Sequence, residues 1–111
     1  MKGTEKQIAW AENIKNEAVE TCRKNIEINE QRVAETAHPM YNANIAAYKV
    51  MLAVLEKMFE INAQQDAGWW IDHREKISSA AINQIVSRWA EMIRSGRMTA
   101  EQLAAKNGVR I

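Results

Sequence analysis

The chain has 111 residues, 47% of them apolar and 26% charged, with a formal net charge of +1. That length suits one domain around one core, and the balance excludes intrinsic disorder, which needs fewer apolar residues and a larger net charge. No apolar run approaches the roughly 18–20 residues of a membrane helix.

Punctuation then sets the elements. There is one proline, Pro39, and there are four isolated glycines, Gly3, Gly68, Gly96 and Gly108. Because proline and glycine are the residues that stop helices, the long intervals between them predict an all-α protein. Thr4-Glu5-Lys6-Gln7 has the form of a capping box. It opens a first helix over about 4–37, whose apolar stripe is Ala11, Ile14, Ala18, Cys22, Ile26 and Val33, with Asn29 interrupting and Trp10 and Val19 on its flanks. Steps of three and four residues are those of a helix.

Pro39 suits the first turn of a second helix over about 39–65, since its missing N–H would have no partner there. Tyr41, Ile45, Tyr48, Leu52, Leu55 and Phe59 form a seam of coiled-coil type, widened by Met51, Val54, Met58 and Ile61. Asp66 is an N-cap for a third helix over about 68–95. Its apolar face holds Ile82, Ile85, Val86, Trp89, Met92 and Ile93, and Asp72-His73-Arg74-Glu75 is a point where it can break. Thr99-Ala100-Glu101-Gln102 is a second capping box, with Met98 and Leu103 placed as a staple. It starts a short helix over about 99–107 that stops at Asn107-Gly108.

Short links make neighbouring helices antiparallel. The expected architecture is an elongated antiparallel three-helix bundle with a short C-terminal helix, one domain over 1–111. This topology gathers Ile8, Trp10, Phe59, Ile61, Trp69 and Trp70 at one end.

Chemistry is sparse. His38 and His73 are the only histidines, and only His38 has a glutamate three residues before it (Glu35), one such pair where a bundle site wants two, so no metal site is expected. Cys22 falls on the apolar stripe, no Gly-x-Ser-x-Gly elbow is present, and isolated glycines make no phosphate loop. The expectation is a non-enzyme with no cofactor. A lone cysteine and an N-terminus without the apolar core of a signal peptide fit a cytoplasmic protein. The segment Met98 to Val109 has the form of the first helix and turn of a helix-turn-helix, but only Arg110 and Ile111 follow, too few for a recognition helix.

Trp69-Trp70-Ile71-Asp72-His73-Arg74 is the most unusual hexamer. Adjacent tryptophans on a helix point about 100° apart, so they cannot be equally central in a core. Two functions follow: the rings close the end of the bundle, or Trp69, Trp70, His73 and Arg74, with Arg74 stacked on Trp70, bind a partner. Residues 1–67 carry eight Lys/Arg against ten Asp/Glu, whereas 68–111 carry seven against four. Arg88, Arg94, Arg97 and Arg110 of this mildly basic third are the candidate nucleic-acid contacts.

Gly3-Thr4-Glu5-Lys6-Gln7-Ile8-Ala9-Trp10-Ala11-Glu12 and Gly68-Trp69-Trp70-Ile71-Asp72-His73-Arg74 together resemble a group of small bacterial and phage proteins. That group shares the same ten-residue start and a later Trp-Ile-Asp-His-Arg-like run. The resemblance covers about 17 of the 111 residues and brings no assigned activity with it. It implies a phage or mobile-element setting, in which very small proteins act as inhibitors or adaptors of host machinery. The leading expectation is therefore a protein-binding helical module, an inhibitor of a host or defence complex in an anti-CRISPR-like role. The alternatives are a nucleic-acid-associated protein using the basic third and a homodimer built on the seam of the second helix.

Overall fold

In a computed structural model, which describes residues 1–111, the chain is all-α: α1 (Glu5–Glu35), α2 (Pro39–Ile61), α3 (Ala67–Asp72), a 3-10 turn (Arg74–Ile77), α4 (Ser79–Arg94) and α5 (Ala100–Lys106). Both capping boxes form. Thr4 Oγ1 accepts from the Gln7 amide at 3.1 Å while Gln7 Oε1 accepts from the Thr4 amide at 3.0 Å. Thr99 and Gln102 repeat the exchange at 3.1 and 2.9 Å. Each box satisfies two amides that a helix start leaves without an internal partner.

α1 and α2 meet at Pro39. Proline holds the preceding residue in extended conformation, and His38 has φ −68° and ψ 128°. Its Nδ1 accepts from the Met40 amide at 3.1 Å, so His38 serves as an N-cap. α2 ends at Ile61, four residues before the expected boundary. There the Asn62 amide and side chain both donate to the Met58 carbonyl, at 3.0 and 2.9 Å, and Asn62 leaves helical geometry with φ −102° and ψ 19°.

The third helix of the sequence reading is two helices. α3 stops at Asp72, where side chains bond its last carbonyls: His73 Nδ1–H donates to the Trp69 oxygen and Arg74 Nη1 to the Ile71 oxygen, both at 2.7 Å. Ser78 then caps α4, its Oγ accepting from the Ala81 amide at 3.2 Å. A serine that bonds the backbone locally starts a helix better than it continues one.

The bundle consists of α1, α2 and α4. α2 lies against both others, whereas α1 and α4 meet only lightly. Three polar ties fix the register, one per helix pair. Asn44 Nδ2 donates to Asn29 Oδ1 at 3.0 Å between α2 and α1. The Tyr48 hydroxyl donates to Asn83 Oδ1 at 2.6 Å between α2 and α4. Thr21 and Ser79 hydroxyls meet at 2.7 Å between α1 and α4. Lys15 beside Phe59 with Asn29 on Asn44, and Met40 beside Arg94 with Tyr48 on Asn83, run in opposite order along each pair, so α2 is antiparallel to both neighbours. Asn29, the interruption in the stripe of α1, is buried and also donates to the Asn25 carbonyl at 2.7 Å.

The main core runs along the bundle through Ala11, Ala18, Cys22, Ala47, Met51, Leu55, Ile82 and Val86, with Trp70 and Ile77 at one end. Alanines on the inner faces of α1 and α2 allow close approach, so the larger side chains fill what remains. A smaller cluster joins α5 to α2 through Val50, Leu103 and Ala104, with Met98 and Val109 packed on it. Gly96 (φ +79°) and Gly108 (φ +73°) end α4 and α5. In both places the amide two residues past the cap returns to the helix, Arg97 to Met92 and Val109 to Ala104, as in a Schellman motif. The result is an elongated body of 48 × 28 × 18 Å.

Candidate functional site

The Trp-Trp hexamer and the N-terminal segment meet at one end of the bundle. The Ala67 amide donates to the Lys2 carbonyl at 2.7 Å. A Cβ on Gly3, which has φ +146°, would come within 2.9 Å of Ala67 Cβ. Gly3 is therefore where the chain needs both a glycine backbone and the absence of a side chain. Asp66 Oδ1 caps α3 by accepting from the Trp69 amide at 2.8 Å.

The two adjacent tryptophans divide as the helix requires. Trp70 is only 1% exposed and makes edge contacts with Phe59 at 5.6 Å and Trp69 at 4.9 Å. The Lys15 ammonium lies 5.0 Å from the Trp70 ring and 5.4 Å from that of Phe59. Trp70 is thus a core residue that closes this end and offers no surface to a partner. Trp69 is half-buried, one face covered by His73 in a stacked pair at 4.1 Å. Ile8 packs on the core here, but Ile61 is 69% exposed, because α2 ends at that residue and turns it outward.

Arg74 does not stack on Trp70. Its guanidinium lies 5.3 Å from the ring of Trp10, a residue the sequence places only on the flank of the first stripe. Trp10 is 47% exposed and opens a groove of about 290 Å³ with Ile14 and Ile77 on its apolar side and Glu17, Glu75 and Ser78 on its polar side. The outermost pair at this end is therefore Trp10 and Arg74, while Trp69 on His73 and Trp70 on Phe59 form neighbouring contacts that do not line the groove. Trp10 lies about 40° around the helix from Ile14 and farther from the stripe's centre, and that angular offset was its one sequence signal.

The four arginines of the nucleic-acid reading do not share one face. Arg94 borders Met40 and Asn44 with Glu91 beside it, whereas Arg110 borders Lys49 and Leu52 with Glu56 beside it. At 100° per residue these two sets of α2 residues lie on opposite sides of that helix. Arg88 is exposed on α4 and Arg97 in the turn after it. The seam of α2 is largely used inside the chain, with Tyr48 and Leu55 buried and Ile45, Leu52 and Phe59 half-buried.

No three His, Cys, Asp or Glu side chains converge. Burial pushes the Cys22 thiol up to about 11 and keeps it neutral and unreactive at physiological pH. Burial, with Cys22 adding to it, also raises the Tyr48 phenol. No helix is long and apolar enough to cross a membrane. No family model, curated protein or solved structure matches the chain.

Proposed function

We propose that this chain is a non-enzymatic interaction module that docks a partner protein at the end of the bundle that carries the Trp10–Arg74 and Trp69–His73 pairs. The observation that carries this reading is the exposed indole of Trp10 under the Arg74 guanidinium. Tryptophan and arginine are the side chains that most often dominate protein interfaces. A bundle that buries Trp70 to close its end has no packing need for a second, exposed ring at the same place. The phage-inhibitor role is the specific form of this reading, and its support is the resemblance of the two segments that meet here.

The test is affinity capture from nuclease-treated bacterial lysate with wild-type chain and with Trp10→Ala. A stoichiometric protein bound by the wild type and lost from the variant, with the variant's unfolding midpoint unchanged, is the expected result. A partner that ignores Trp10→Ala, or binding that disappears with nuclease, overturns the proposal.

A further inference from the structure

We infer that the groove between α1 and α4 takes an amphipathic helix of the partner protein that presents lysine or arginine to Glu17 and Glu75. The inference rests on the partner-binding reading above and names the chemistry of that partner.

The groove extends well beyond Trp10. A second hollow, of about 430 Å³, shares Glu17 and Ser79 with the first and continues along α1 to Ile28. Trp10, Ile14, Glu17, Thr21, Asn25 and Ile28 follow one another at steps of four and three, so they form one stripe. This stripe borders the core face of α1 and shares Ile14 with it, and α4 meets it at the Thr21–Ser79 contact. The two large apolar side chains that α1 exposes, Trp10 and Ile28 (39%), stand at its two ends. They are about 27 Å apart at 1.5 Å per residue, five turns of an incoming helix.

Charge selects the occupant. Glu20 has Lys24 one turn later, the favourable order for a pair on a helix. Glu17 has Asn13 and Thr21 at the corresponding positions, and Glu75 has Ile71 and Ser79. Arg74, which lines the same hollow, is held over Trp10 and donates to the Ile71 carbonyl. Arg74, next to Glu75 in the chain, is thus the one cation lining the Trp10 end of the groove, against the two carboxylates Glu17 and Glu75. The middle of the floor is the Thr21–Ser79 hydroxyl pair, so an occupant is held by its apolar ends and by its charge, not by a continuous greasy face.

The probes are two fluorescein-labelled synthetic helices of about 18 residues, the groove's length, one built of Leu and Lys and one of Leu and Glu. Each is titrated with the full chain and read by anisotropy. The Leu/Lys helix is expected to bind and the Leu/Glu helix not. Glu17→Gln with Glu75→Gln weakens binding about tenfold. The control Glu27→Gln with Glu30→Gln, on the opposite face of α1, leaves it unchanged. No binding of the Leu/Lys helix, equal binding of both helices, or equal effects of the two double variants overturns the inference. So does self-association of the chain that Trp10→Ala abolishes, since it gives the groove to a second copy. If Trp10→Ala removes the captured cellular partner while the Glu17/Glu75 variant retains it fully, the helix chemistry fails and the interaction reading stands.

Discussion

Trp10 and Trp70 are the same residue type within one cluster, and burial separates their roles. Trp70→Ala removes a fully enclosed indole and its contacts with Phe59 and Trp69, and a loss of about 3–5 kcal/mol in urea unfolding is expected. Trp10→Ala, at a half-exposed position, is expected to stay within about 1 kcal/mol of the wild type, the modest contact with Arg74 included. Cys22 supplies a pH signature. Its folded thiol titrates near 11 against an ordinary value of 9.0. Below pH 9 the thiol is neutral folded or unfolded and the full stability is present. Between about 9 and 11 only the unfolded chain ionises, so stability falls as pH rises, by at most about 2–3 kcal/mol. Tyr48, raised as well, acts in the same direction. Unfolding midpoints of wild type and Cys22→Ala measured from pH 8 to 11 should converge as pH rises. A constant gap between them removes the burial account. The sequence placed Cys22 on the apolar stripe, and that part was legible because helical periodicity alone locates it. The exposure of Trp10 was not, since a flank position is buried or free according to how closely the third helix approaches.

At the level of elements, both ends of α2 and the start of α4 are set by single polar side chains. Ser78→Ala removes the hydroxyl that accepts from the Ala81 amide and is expected to cost about 1 kcal/mol. Urea unfolding checks this, and a loss no different from that of Ser95→Ala contradicts it. Helix starts at Thr4, Pro39 and Thr99 were readable in the sequence because each carries a cap whose chemistry is local. The break between α3 and α4 was marked only as a point where the helix can break. Resolving it needs the bonds His73 and Arg74 make to carbonyls of the preceding turn, which depend on where Trp70 is anchored. The end of α2 was misplaced by four residues for a similar reason. Ala63, Gln64 and Gln65 are acceptable helix residues, and the helix stops before them where the Asn62 backbone leaves helical geometry.

Across the whole molecule, α2 is the shared partner of α1 and α4, and α5 covers the far part of α2 rather than extending the bundle. Lys57 Nζ donates to the Gly108 carbonyl at 2.7 Å and fastens the turn that follows α5. The antiparallel order followed from link lengths, and the gathering of Phe59, Trp69 and Trp70 at one end followed from that order. What sequence could not give was the unequal packing of the three helices, because an apolar face states that a helix is covered and not which neighbour covers it. Thr21 and Ser79 join α1 to α4, and no pattern in the sequence pairs them.

The bond between Ala67 and the Lys2 carbonyl carries a kinetic consequence. A six-residue helix such as α3 is far below the length that persists alone in water, so its amides would ordinarily exchange with solvent deuterium within moments. Here α3 is pinned by the buried Trp70 and latched to the first residues of the chain, and it can open only when they leave together. Exchange at Trp70 and Ile71 should therefore be as slow as in the middle of α2, and Gly3→Ala should accelerate it without touching α2. The two stretches that lie farthest apart in the first two-thirds of the chain would then behave as one cooperative unit, the first and last to detach together.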